Sequence, residues 1–162
     1  MGSSPLFGEY RILEVRSMSY RFTVPGPAVP QGRPIFTTRG GKRWAIDPPR
    51  SREYKAKVRA YARRVCQPHR ARDKPWLAVS EYRPIPKSWS RKKRAAAREQ
   101  KIYPTVRPDF DNVIKAIADA LNGVLWEDDR QVVDGRIQRF YSDDPRVEVE
   151  IEAICPEEAQ DD

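Results

Sequence analysis

Residues 107–134 read RPDFDNVIKAIADALNGVLWEDDRQVVD, and the fold turns on how this stretch is read. Phe110, Val113, Ile114, Ile117 and Leu121 recur at i, i+3, i+4, i+7 and i+11, the spacing of one buried face on an α-helix. Asn122-Gly123 supplies the stop, because glycine readily takes the left-handed conformation that ends a helix. Asp111, Lys115 and Asp119 recur every four residues and form a polar stripe beside the apolar one. Asp109 falls at the helix start, where the positive end of the helix dipole favours an ionised carboxylate. Downstream, Val124, Leu125 and Trp126 are expected to run as a strand back along the helix. Twelve helical residues advance about 18 Å, and the extended run from Gly123 to Asp129, at about 3.3 Å per residue, covers that distance. On that expectation Asp128 and Asp129 return to the helix N-terminus and join Asp109 and Asp111.

The flanking sequence predicts a small mixed β-sheet packed with two to three helices, an α/β (α+β) fold in a single domain. Tyr20, Phe22 and Val24 alternate as a strand that the Pro- and Gly-rich residues 25–34 end. Residues 35–46 read as a hairpin with Gly40-Gly41 as its turn and Phe36 and Trp44 on its arms. Ser51 reads as the N-cap of an amphipathic helix whose apolar face is Tyr54, Val58, Tyr61, Ala62 and Val65. Residues 76–82 predict a second strand, and residues 89–100 a short polar helix carrying Arg91-Lys92-Lys93-Arg94, a run read as solvated. Val147, Val149 and Ile151 alternate with Glu148, Glu150 and Glu152, a half-buried strand with an acidic outer face. Residues 1–18 are read as an irregular extension, 19–155 as the domain and 156–162 as a frayed acidic tail.

At 162 residues the chain is long enough for one sizeable core, and four Trp, seven Tyr and five Phe supply material for it. It has no apolar run of the roughly 18 residues that span a bilayer and no secretory signal, so a cytoplasmic location is expected. Cys66 and Cys155 stand apart without ligand-spaced neighbours, and His69 is the one histidine, so metal chemistry here has to run on carboxylates. The net charge of +8 is unevenly spread: 26 Lys+Arg face 7 Asp+Glu before Asp109, and 5 face 16 from Asp109 on. A broad cationic surface with a separate group of carboxylates suits a protein that holds a polyanion and places divalent cations on it. A solvated basic face with an acidic tail accounts for the charge alone equally well. The aromatic-basic hairpin, with Arg33, Arg39, Lys42 and Arg43, suits phosphate contact with base or sugar stacking, and Arg107 adjoins the acids.

Gathered carboxylates resist ionisation unless a cation lies between them, and an all-oxygen donor set calls for Mg²⁺, with Mn²⁺ able to substitute. Lys115, one turn from Asp111, is placed to offset charge on a phosphorane. Singly, each residue has a plainer reading. Asp109 caps a helix, Asp111–Lys115 is a surface pair worth a few tenths of a kcal/mol, Asp119 is a salt-bridge partner or a ligand, and Asp128-Asp129 is a polar turn. Taken jointly, beside a lysine and a basic remainder, the set is better read as a metal-dependent phosphodiester site.

The run Pro108-Asp109-Phe110-Asp111-Asn112-Val113-Ile114-Lys115, then Asp119-Ala120-Leu121-Asn122-Gly123 and Asp128-Asp129-Arg130-Gln131-Val132, resembles the RusA-like Holliday-junction resolvase family. Pro30-Gln31-Gly32-Arg33-Pro34, the hairpin and Arg52-Tyr54-Lys55 extend the resemblance over residues 19–154. It implies a homodimeric endonuclease, commonly of bacterial or prophage origin, that binds four-way DNA junctions and makes symmetric nicks with Mg²⁺. By matched position it implies that Asp109, Asp111 and Asp129 are the metal-binding acids, with Asp128 a supporting neighbour and Lys115 the catalytic lysine. The 17-residue extension and the Arg-rich stretch 91–98 depart from shorter members. Dimerisation has its own physical argument, since a junction presents two equivalent strands and a two-fold pair can cut both. Two rivals remain: a non-catalytic nucleic-acid-binding module with structural carboxylates, and a nucleotide-sugar transferase reading of Asp109-Phe110-Asp111. The second lacks any nucleotide-binding fingerprint, and neither a nucleotide cofactor nor a membrane partner is expected.

Overall fold

The computed structural model describes residues 16–66 and 74–155. Along the chain come β1 (Arg16–Pro25), β2 (Ile35–Arg39), β3 (Lys42–Ile46), α1 (Pro49–Ala62), β4 (Lys74–Pro84), α2 (Arg91–Arg98), α3 (Phe110–Ala120), β5 (Asp134–Ser142) and β6 (Arg146–Cys155). Four strands form one sheet in the order β1-β6-β4-β5, while β2 and β3 make a separate two-stranded ribbon. The sheet is mixed, because β4 pairs with β5 in parallel and with β6 antiparallel, and β1 is antiparallel to β6. The expected α+β fold is the one observed.

Period-2 alternation decides which side of the sheet carries the core. Phe22 and Val24 of β1, Leu77 and Val79 of β4, and Val147, Val149 and Ile151 of β6 are buried on one face. Val58 and Ala62 of α1 and Ile117 and Leu121 on and just after α3 join them in a single cluster. β1 begins at Arg16, so residues 16–18 of the segment read as an extension continue the strand, while residues 1–15 lie outside the described residues. The tail from Pro156 also lies outside them.

Several local expectations shift. The helix α1 starts with Pro49, and Ser51 sits inside its first turn, where its hydroxyl accepts from the Gly32 amide at 3.1 Å and lies 3.4 Å from the Pro30 carbonyl. Gly32 is obligatory at that crossing, since a Cβ there would meet Pro48 at 2.8 Å and Ser51 at 2.9 Å. Val65 lies past the helix end and is exposed. Ser90 caps α2 by accepting from the Lys93 amide, so this helix is shorter than residues 89–100. In α3 the buried residues are Val113, Ala116, Ile117 and Ala120, and Phe110 is 60% exposed. The two small alanines form part of the packed surface, which rotates the buried face away from Phe110.

The largest departure follows α3. Val124, Leu125 and Trp126 are buried but form a tight turn rather than a strand, closed by the Gly123 amide donating to the Trp126 carbonyl at 2.6 Å. Gly123 has φ of +71°, the left-handed value that glycine takes freely. The Trp126 indole donates to the Ala118 carbonyl at 3.2 Å and pins the turn against the helix.

Candidate active site

Two straps bring distant segments to α3. The Gln31 amide donates to the Asn112 carbonyl at 2.9 Å, so the Pro30–Pro34 motif lies against the first turn of the acid-bearing helix. Its side chain donates to Asp47 Oδ1 at 2.9 Å, and Lys55 donates to Asp47 Oδ2 at 2.8 Å and to Asp119 Oδ2 at 3.0 Å. Lys55 is buried, and a buried ammonium is tolerable only between such partners. The hydrogen bond from Lys55 holds the Asp47 carboxyl below its ordinary range, outweighing the burial that raises it, with Gln31 adding to the effect.

Asp119 in turn faces Asp129. Burial first, then the neighbouring Asp119 and Asp128 carboxylates, push the Asp129 carboxyl up. Two carboxylates in hydrogen-bonding contact repel when both are ionised, and a proton or a cation relieves that. Asp128 is engaged otherwise. It caps the 3-10 turn Asp129–Gln131, accepting from the Arg130 amide at 3.0 Å and from its guanidinium at 2.8 Å, contacts that hold its carboxyl down at about 2.

Asp109 has extended backbone just before α3, and its carboxylate makes no capping bond, so the plain capping role is not the one it plays. Asp111 and Lys115 are exposed on the polar stripe and, among the described residues, do not pair with each other. The expected gathering of Asp109, Asp111, Asp128 and Asp129 is not formed: among the described residues no three acidic side chains make a cation cage. Asp109 and Asp111 stand at the start of α3, whereas Asp129 meets Asp119, eight residues and about 12 Å along the axis from Asp111. The reason is the tight turn after Gly123, which replaces the extended run that the return required.

Asp109 also lies on the wall of a cleft of ≈ 750 Å³ lined by Arg33, Arg50, Arg83, Arg107 and Asn112 among others. Arg33 and Arg107 share this cleft with Asp109, while Arg39, Lys42 and Arg43 stand apart on the β2–β3 ribbon. That ribbon is exposed along both strands, with Phe36 and Trp44 more than half exposed and the Arg43 guanidinium 4.8 Å over the Phe36 ring. Sequence reading names Lys55 only within the resemblance and gives it no role, and it misses Asp47, Arg50 and Arg83. Lys55 carries a faint signal, a lysine on the apolar side of α1 next to Tyr54. A divalent cation fits the acceptors at the start of α3, which are all oxygens, the Asp109 and Asp111 carboxylates and the Asn112 amide. Cys66 is half-buried and its thiol is pushed up to about 11 by burial, which disfavours the thiolate a soft metal would need.

A mixed sheet carrying an acid-bearing helix, an arginine-lined cleft and an exposed basic ribbon is an arrangement suited to holding a polyanion beside carboxylates. The profile of the endodeoxyribonuclease RusA family matches residues 25–152, and the chain belongs to that family. It is also 41% identical over 140 residues, 83% of this chain and 96% of the relative, to the uncharacterized protein YqaN of Bacillus subtilis (strain 168). No helix among the described residues is long and apolar enough to cross a membrane.

Proposed function

We propose that the protein is a Mg²⁺-dependent, structure-selective endodeoxyribonuclease that resolves four-way DNA junctions by paired nicks, acting as a homodimer in the cytoplasm of a bacterial host. The observation that carries this reading is membership of the RusA family together with Asp109, just ahead of Asp111 and Lys115 on α3, standing on the wall of an arginine-lined cleft. By matched position Asp109, Asp111 and Asp129 would hold the cation, which requires Asp129 to leave Asp119 and close on the start of α3, with Asp128 supporting it through the turn it caps. When bound, a divalent cation polarises the phosphodiester and lowers the pKa of an attacking water.

The chain's own residues supply the rest. Arg33 and Arg107 grip phosphates at the cleft, and Arg39, Lys42 and Arg43 extend that grip along the ribbon. Lys115 donates to a non-bridging phosphate oxygen as charge builds there. Asp119, tied to Lys55, keeps a second carboxylate beside Asp129 and so favours cation over empty space at that end. Cutting both strands symmetrically requires two such sites, which a two-fold pair supplies.

The deciding experiment incubates the protein with a labelled four-way junction and a matched linear duplex, each with and without Mg²⁺. Symmetric nicks confined to the junction and dependent on Mg²⁺ are expected. Tight, metal-independent binding with no scission would instead make the protein a nucleic-acid-binding module with structural carboxylates.

A further inference from the structure

Among the described residues Glu81 is the most buried charged side chain, 1% exposed and on the core face of β4 in line with Leu77 and Val79. A buried carboxylate needs partners that replace water. Arg139 lies directly opposite it in the parallel register of β4 and β5 and donates Nε to Oε2 at 2.7 Å, while Arg83 Nε stands 3.8 Å from Oε1. Both guanidiniums also donate to main chain. Arg83 donates to the Val106 carbonyl at 3.0 Å and to the Arg107 carbonyl at 2.9 Å, and Arg139 donates to the Val106 carbonyl at 3.3 Å. Asp109 follows two residues later.

The loop has little else to hold it. Between Pro104 and Val113, both buried, no side chain is buried, and Val106 and Phe110 are more than half exposed. A guanidinium presents its N–H groups as a rigid fork, so one Arg83 side chain fixes two consecutive carbonyls at once, which a flexible ammonium cannot do. We propose that Glu81, Arg83 and Arg139 are positioning residues that set where Asp109 enters the active site, an inference that rests on the nuclease reading of Asp109. Glu81 orients the two arginines, the arginines hold the Val106 and Arg107 carbonyls, and the loop carries Asp109 into register with Asp111. Misplacement of a catalytic group by about 1 Å costs about 100-fold in rate, so a small loosening of this loop is enough to be seen.

Arg83→Ala is the first variant, because it leaves the Glu81–Arg139 pair intact. Amide hydrogen exchange in residues 103–111 is expected to accelerate at least about tenfold while α1 and β6 keep wild-type protection. Single-turnover nicking of a four-way junction at saturating protein is expected to fall about 10- to 100-fold, the usual range for losing an orienting partner, with junction Kd nearly unchanged. Arg83→Lys restores the charge without the fork and is expected to leave most of the loss in place. Arg139→Lys keeps a cation for Glu81 and drops the bond to Val106, so it tests the same segment should Arg83→Ala fold poorly. Unchanged exchange in 103–111, full recovery by Arg83→Lys, or a loss confined to Kd would overturn the proposal, the last making Arg83 a DNA contact in the cleft. A wild-type protein that nicks no junction overturns the nuclease reading instead, and the exchange pattern still decides whether Arg83 and Arg139 hold the loop.

Discussion

At the scale of single residues, Asp111 and Lys115 separate function from stability. Both are exposed and unpaired with each other, so Asp111→Asn and Lys115→Ala are expected to change stability by no more than about 0.5 kcal/mol. Nicking is expected to fall by about 10²–10³ or more, with junction binding retained. Loss of binding in both variants, measured by gel shift, would point to a folding role. Asp47 offers a pH test. Its carboxyl is depressed in the folded protein below 3.8, chiefly by the Lys55 hydrogen bond. A depressed carboxyl contributes stability that is present above its unfolded pKa and lost as pH falls through the folded value. Asp47→Asn is therefore expected to flatten the fall in stability below pH 3.8, followed by thermal unfolding from pH 5 to pH 2; an unaltered slope would uncouple Asp47 from folding. The types and spacing of Asp109, Asp111, Lys115 and Asp129 are legible in the sequence, because they fall on or just past one helix. Lys55 is not, since its partners Asp47 and Asp119 lie 8 and 64 residues away.

At the scale of elements, the β2–β3 ribbon and α3 behave oppositely. The ribbon contributes no side chain to the main core or to the smaller buried cluster of Ile85, Ala97 and Tyr141, so Trp44→Ala is expected to leave the unfolding midpoint unchanged and to weaken junction binding by the stacking of about one base, about 1–3 kcal/mol. Charge reversal at Arg33 or Lys42 is expected to weaken binding and to flatten the dependence of log Kd on log salt by about one unit per lost phosphate contact. Equal binding at every salt concentration would remove that residue from the DNA surface. In α3, Ile117→Ala empties a fully buried position and is expected to cost about 2–5 kcal/mol, read by urea unfolding. The hairpin is legible because Gly40 and Gly41, with φ of +60° and +75°, are what a two-residue turn demands. The edge strand β5 is far less so. Its core-facing series is Ile137, Arg139 and Tyr141, and the arginine breaks the apolar alternation because its partner, Glu81, sits on another strand.

At the scale of the whole molecule, paired nicks call for two copies, and sedimentation equilibrium is expected to give twice the 18.8 kDa of one chain at micromolar concentration. A monomer that nicks the two junction strands independently would remove the dimer from the proposal. By itself the sequence determined the helix that bears the acids, the ribbon, the apolar faces of β1 and β6, the strand β4, and membership of a nuclease family through the spacing of a few acids and a lysine. Those features are local: a period of 2 or 3.6, a Gly-Gly turn, a run of fixed offsets. Only the tertiary structure decided that Asp129 meets Asp119 instead of Asp109, that Lys55 ties α1 to α3, and that Glu81 and two arginines hold the loop ahead of Asp109. Each of these depends on a contact between segments far apart in the chain, or on a turn tightened by packing. Neither leaves a periodic trace, because a buried charge is placed by its partner and not by its neighbours in sequence.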